Sequence, residues 1–374
     1  MESPALVIIG NSTQGLGIIR SASSLGVKTF MINDKFFCSS KSSKFISNYK
    51  KLKKGTIHSL ANSTSSSKLT ETLLNLPASF PSTLLGINED IINYIHVNSP
   101  DLSLKYNIPT NNYSRIFDKY RFNELLPKQN QIETRLIRDV NISTLNGEKY
   151  LIKSRIGNKF RNKYDRKAVF IKDINHGMKE DIANHFSNDE LIVQELIDSE
   201  ESVLSCCGFT VNGEVKGLFQ YAKVRQHPDR FGTGTYLKSI FNGEIFEIAK
   251  LIWGNLNYTG ISEIEFILDK NDKHYKVVEM NPRTWKSIDF ATKCGQNLVE
   301  KFILYNQGKP YDSTLNFEKG KFWVDIFTDI IQMARERKIF RYDLGNMHEC
   351  TWDRHDPMPF LTSIIFSPFV LLKI

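Results

Sequence analysis

The chain is short of the residues that build metal and redox centres. Its five cysteines, Cys38, Cys206, Cys207, Cys294 and Cys350, are odd in number and show no C-x-x-C spacing. They suggest neither a disulfide framework nor a zinc site. None of the eight histidines forms an H-E-x-x-H pair, so a zinc-protease helix is not indicated. No apolar run is long enough to span a membrane as a helix. Residues 1–10 lack a basic stretch ahead of the short segment PALVIIG, which reads as a buried strand and not an export signal. Gly10, Gly15 and Gly17 do not spell G-x-G-x-x-G, and no lysine follows them as a phosphate loop requires. A nicotinamide dinucleotide or a P-loop is therefore not expected. Together these absences lead to the expectation of a cytoplasmic globular protein.

At 374 residues the chain can bury a large core and divides into two or three domains. Its formal charge of +8 is concentrated: residues 153–172 hold eight basic residues against the single acid Asp165, a local +7. The remainder is close to neutral, so a general nucleic-acid protein is not expected. With Phe160 and Tyr164 interleaved, the basic segment fits a lid over a nucleotide triphosphate, a solvated charged surface or, third, a nucleic-acid grip.

Residues 5–33 read as strand, glycine turn, helix, strand, a βαβ unit implying a parallel sheet. Gly10 supplies the turn, and Gly15 or Gly17 permits close approach of a helix or ligand. The serine-rich stretch SLANSTSSS, 59–67, reads as a surface loop. A polar connection near Pro109 marks a domain boundary, and 118–126, DKYRFNELL, reads as a short amphipathic helix. EKYLIKS, 148–154, is a strand ending in Lys153. LIVQELI, 191–197, is an apolar run followed by the acidic patch 198–201. Asn212-Gly213 is a strong hairpin signal. In the basic segment beyond it, Lys223 and Arg225 lie two apart on a strand, so alternation points both at one target.

The richest stretch is 262–283, SEIEFILDKNDKHYKVVEMNPR. Runs 262–268 and 275–281 favour strands, and 269–273 is turn chemistry. A loop centred near Asp272 sets Glu265 across from Glu279, with Asn281 on the face of Glu279. Paired carboxylates repel, and a cation between them removes the conflict. Mg²⁺ suits the case, because it takes hard oxygen ligands and often only one or two carboxylates. Pro282 ends the ladder and Arg283 follows, placed to fork onto a phosphate. The alternative is that Glu263, Glu265 and Glu279 line a solvated hairpin face.

Glu279-Met-Asn-Pro-Arg283, preceded by Glu265-Phe266 and followed by Trp285, resembles the E-x-N-P-R metal signature of ATP-grasp ligases. The likeness is to the branch of D-aspartate ligase and the carboxylate-amine ligases of bacterial cell-surface polymers. The runs DKYRF, K-x-R-Q-x-P and F-G-T-G-T add to it. This resemblance implies an α/β (α+β) ATP-grasp fold: a Rossmann-like domain over 1–110, ATP-grasp subdomains over 111–195 and 196–308, and a C-terminal extension over 309–374. It implies ATP and Mg²⁺, with Mn²⁺ as the substitute. Glu265, Glu279 and Asn281 become metal ligands, and Lys119 (or its neighbour Arg121) and Lys153 become phosphate ligands. Gln194, Glu195, Leu196 and Ile197 form an adenine hinge. Glu201 holds the ribose, with Glu200 and then Asp198 as competitors. Lys223, Arg225 and Arg283 are the catalytic group, and 157–167 is the lid.

The implied reaction is amide formation through an acyl phosphate, joining a carboxylate and an amine, with a cell-envelope sugar or peptide precursor as one substrate. Nucleic acid is not an expected partner. Two alternatives stand beside it: an ATP-grasp enzyme with a non-amine acceptor, as in a carboxylase or a thiol or hydroxyl ligase, and a non-catalytic binder of acidic polymer or nucleic acid. The apolar tail 357–374, interrupted by Pro359 and Pro368, reads as an element docked on the core or as a contact with the inner face of the membrane.

Overall fold

Three sheets organise the chain. A computed structural model describes residues 2–10, 12–35, 38–60, 67–337 and 342–371, with the side chains of 143 and 367–371 not described. Most of the serine-rich stretch, 61–66, thus lies outside the described residues.

The first sheet contains β1 (Ala5–Ile9), β2 (Lys28–Asn33), β3 (Asn48–Lys51) and β4 (Thr83–Gly86), in the order β3-β2-β1-β4. β1 pairs in parallel with both β2 and β4, as the βαβ pattern requires. The crossover is the helix Thr13–Ala22, capped by the Ser12 hydroxyl accepting from the Gln14 N–H at 3.1 Å. Gly10 has φ +103°, a conformation that a side chain would strain, and it makes the turn out of β1. A Cβ on Gly17 would lie 3.0 Å from Ile288, so this glycine lets the helix Ile288–Lys293 approach closely.

The second sheet contains β5 (Thr134–Leu136), β6 (Tyr150–Ser154), β7 (Ala168–Phe170) and β8 (Leu191–Glu195), in the order β5-β8-β6-β7. Its core gathers Ile152, Phe160, Val169, Ile182, Leu191 and Val193. The third sheet has the order β13-β12-β9-β10-β11-β14-β15. Its strands are β9 (Leu204–Val211), β10 (Glu214–His227), β11 (Thr233–Ser239), β12 (Gly260–Leu268), β13 (Tyr275–Asn281), β14 (Phe322–Val324) and β15 (Met347–Glu349). Asn212 and Gly213 take φ of 49° and 79°, the two positive values a tight hairpin between β9 and β10 demands.

Two compact units emerge. One comprises 1–111, 206–263 and 281–374, and the other 112–205 and 264–280. Both are discontinuous in sequence, unlike the four consecutive segments read from the chain. β14 is followed by the helix Ile326–Glu336. The tail forms the helix Met358–Leu371, and no helix among the described residues is long and apolar enough to cross a membrane.

Within the first unit Asp289 is buried and accepts from Trp323 Nε1 at 3.1 Å. Burial pushes its pKa up to about 6, against the opposing pull of Arg20 and Lys293. A carboxyl pKa raised by folding means the native state binds the proton more tightly than the unfolded chain. The charged form therefore costs the native state ~3 kcal/mol near neutral pH, and the cost disappears as pH falls through 6 towards 4. Asp289→Asn is expected to raise the unfolding free energy at pH 7. Its advantage over the parent should vanish near pH 4 in denaturant titrations.

Candidate functional site

The second unit builds its cluster from the N-terminus of the helix Lys119–Glu124 and the end of β6. Asp118 caps that helix, its Oδ1 accepting from the Tyr120 and Arg121 N–H groups at 3.2 Å. Arg155, two residues beyond Lys153, grips the same carboxylate with Nε at 2.9 Å and Nη2 at 2.8 Å. The Lys119 N–H donates to the Arg155 carbonyl at 3.0 Å. This brace holds Lys119 and Lys153 on adjoining pieces of chain. Asp118 and Arg155 were not singled out in the sequence; the capping position of Asp118 was the available signal.

The Lys153 pKa is pulled down to about 8, first by burial and then by the positive charges of Lys119 and Lys167, while Glu279 and Glu265 act in the opposite sense. Two lysines of the expected phosphate set, one lysine of the expected lid and two carboxylates of the expected metal set thus share one electrostatic neighbourhood. The positive charges around Lys153 invite anionic groups. A polyphosphate would supply them.

In the hinge, the Gln194 amide donates to Thr134 Oγ1 at 2.9 Å, and burial together with Glu133 and Asp269 raises the Glu195 carboxyl pKa. The Glu195 N–H donates to the Glu133 carbonyl and the Leu196 N–H to the Lys149 carbonyl, at 2.9 and 2.7 Å. Among the described residues the Ile197 N–H makes no backbone hydrogen bond. Of the acids, Asp198 is paired with Lys270, whereas Glu200 and Glu201 are exposed.

The expected lid is in part a docked element. Residues Lys159–Tyr164 form a short helix. Phe160 is fully buried and packs on Tyr164 with ring centroids 4.7 Å apart, and the Phe160 N–H donates to Ser154 Oγ at 2.8 Å. Lys163 pairs with Asp181 at 3.0 Å. The aromatic residues serve the core of this unit, while the bases Lys159, Arg161, Lys163, Arg166 and Lys167 are all exposed, Lys159 in an ion pair with Glu190.

The first unit carries a second cluster. Asn281, the last residue of β13, donates through Nδ2 to Glu263 Oε2 at 3.2 Å, and its Oδ1 accepts from Arg283 Nη2 at 2.9 Å. Tyr221 donates its hydroxyl to the other oxygen of Glu263. Arg283 Nη1 also donates to the Thr284 carbonyl at 3.0 Å, an oxygen shared with the Gln14 amide at 2.7 Å. Glu263 is buried and holds Asn281 in place, whereas the sequence offers it only as part of a solvated hairpin face.

Among the described residues no three His, Cys, Asp or Glu side chains gather as a metal site. The two carboxylates of the second unit, Glu265 and Glu279, are of a kind that suits Mg²⁺, which accepts few protein ligands when phosphates and waters complete its shell.

β10 departs from the expected alternation. Its register with β11 shifts on both sides of Arg225, where Lys223 lies opposite Leu237 and Arg225 opposite Tyr236. Strict two-residue alternation therefore does not aim Lys223 and Arg225 together. Arg225 lies over the Tyr236 ring at 4.3 Å and forks onto the fully buried Asp329, with Nε–Oδ1 at 3.0 Å and Nη2–Oδ2 at 2.6 Å. Sequence reading missed Asp329, because nothing near it in the chain announces a partner.

Residues 236–313 match the family model for the carbamoyl-phosphate synthase L chain, ATP binding domain. The chain is 25% identical over 160 residues to D-aspartate ligase of Enterococcus faecium, a match covering 40% of this chain and 38% of that relative. Among solved structures it is similar to N5-carboxyaminoimidazole synthetase of Staphylococcus aureus, with TM-score 0.62 and 14% identity over 90% of this chain and 86% of that one. The L-amino acid ligase of Bacillus licheniformis gives TM-score 0.62 and 14% identity, covering 86% and 79%. Biotin carboxylase of Campylobacter jejuni gives 0.61 and 13%, covering 85% and 74%. These structural likenesses establish the fold.

Proposed function

On the ATP-grasp fold that this chain carries, we propose that it joins a carboxylate to an amine at the expense of ATP. A carboxylate oxygen takes the γ-phosphoryl group and ADP leaves. The amine then attacks the acyl carbon and releases phosphate, leaving an amide. Both steps need charge neutralisation more than a nucleophile from the protein.

Lys119, Lys153 and Lys223 bind and orient the phosphates. The Ile197 N–H and the neighbouring carbonyls read the adenine edge, and Glu201 or Glu200 holds the ribose. Glu265, Glu279 and Asn281 would hold Mg²⁺, which when bound neutralises phosphate charge. Arg283 stabilises the transferred group and the oxyanion of the second step. Arg225, fixed on Asp329, shapes the strand that presents Lys223. The observation that carries this reading is the depressed pKa of Lys153 among Lys119, Lys167, Glu265 and Glu279, a set of charges that suits a metal-bound polyphosphate.

The fold alone is shared by carboxylases and ligases. The sequence likeness to D-aspartate ligase favours the amine acceptor, and a cell-envelope sugar or peptide precursor is the substrate class we propose. The test is ADP release with Mg·ATP against amino acids paired with uronic-acid sugars and cell-wall peptide precursors, using Glu279→Gln as control. Release that needs both substrates and is lost in the variant supports the ligase. Release with bicarbonate in place of an amine pair would transfer the chain to the carboxylase class.

A further inference from the structure

The first unit presents a second concentration of positive charge. Residues 28–54 contain Lys28, Lys35, Lys41, Lys44, Lys50, Lys51, Lys53 and Lys54 against the single acid Asp34, a local +7. All eight lysines are exposed, whereas Asp34 is buried. Four of them lie on or just after β3, the edge strand of the first sheet. Since 153–172 holds another +7, the rest of the chain is net acidic, and these lysines are a local feature.

Two of them lie at the base of an uncharged helix. Met358–Leu371 docks on the short turn Ser39–Ser42, where Ser42 Oγ and Thr362 Oγ1 share a hydrogen bond at 3.0 Å. The helix is pinned at its start by buried Asp356. This residue accepts from Arg20 Nε at 3.1 Å, Ser43 Oγ at 2.7 Å and the Lys44 N–H at 3.0 Å. Lys41 and Lys44 therefore flank it. From residue 357 to 371 there is no charged side chain. Met358, Leu361, Ile364 and Ile365 are exposed along one helical stripe, with Ile365 at 65% exposure, and Trp352 is exposed just before them.

We infer that this face of the first unit docks on an anionic membrane surface, the helix Met358–Leu371 lying in the interface and the 28–54 lysines meeting the acidic headgroups. An apolar stripe with basic residues beside it has the two attractions that hold a peripheral protein on a bilayer. Charge decides against the other occupant of an apolar face: a second copy of this chain would bring the same lysines and repel. The inference does not rest on the ligase reading.

The test is flotation of the full chain with vesicles of phosphatidylcholine alone or mixed with phosphatidylglycerol, at low and high salt. Binding is expected only with phosphatidylglycerol, falling with salt. Reversing Lys50, Lys51, Lys53 and Lys54 to Glu should weaken it on the order of tenfold or more. L361S/I365S should abolish it while thermal unfolding stays that of the parent, since both side chains are already exposed. No binding to either vesicle, equal binding to both, or a dimer in sedimentation that L361S/I365S dissolves would overturn the inference.

Discussion

Lys153→Met is expected to lower kcat/KM for ATP by on the order of 10²–10³ while leaving the protein folded. The methionine keeps most of the length of the side chain at the end of β6 and removes its ammonium group. The brace between Asp118 and Arg155, at 2.8–2.9 Å, does not involve the lysine, so the local backbone is retained. The effect has a pH signature. With its pKa lowered to about 8 by burial and by Lys119, Lys153 without nucleotide loses its proton as pH rises through 8. Nucleotide binding by the parent protein should weaken from pH 7 to pH 9, and calorimetric titration of Lys153→Met should show a flatter profile. A variant as active as the parent would remove Lys153 from the phosphate set.

The largest structural effect is expected at Asp329. Its carboxylate accepts from Arg225, from Thr235 Oγ1 at 2.6 Å and from the Tyr342 hydroxyl at 2.6 Å, and it is fully buried. The partners pull its pKa down although burial acts against them. Asp329→Ala leaves the Arg225 guanidinium without its counter-ion and two hydroxyls without an acceptor, a loss of about 3–5 kcal/mol in unfolding free energy. Arg225→Met combined with Asp329→Leu should cost less than the sum of the single changes, because the charge and its partner disappear together. Additive losses in denaturant titrations would show that the two residues stabilise the fold independently.

What the sequence made legible was local. The βαβ unit follows from apolar runs around Gly10, the β9–β10 hairpin from Asn212-Gly213, and the β12–β13 hairpin from alternation around a polar turn. Each needs only neighbours in the chain. Hidden were features that depend on distant partners: Asp329 lies 104 residues from Arg225, and Arg155 lies 37 from Asp118. The register shifts flanking Arg225 altered the side-chain alternation that spacing alone predicts. Phe160 and Tyr164 looked like aromatic companions of a basic lid, yet a short helix buries Phe160. The second lysine group stood in the sequence throughout, spread over 28–54, and draws notice only once all its side chains prove exposed.

The central claim is that a carboxylate is activated by phosphorylation. The most direct test supplies the accepted carboxylate with heavy-oxygen label in its carboxyl group, together with Mg·ATP and the amine, and follows the released phosphate by mass. Transfer of one labelled oxygen from carboxylate to phosphate for each amide formed is the predicted result, since the attacking oxygen leaves with the phosphoryl group. Amide formed with phosphate that carries no label would contradict the acyl-phosphate route.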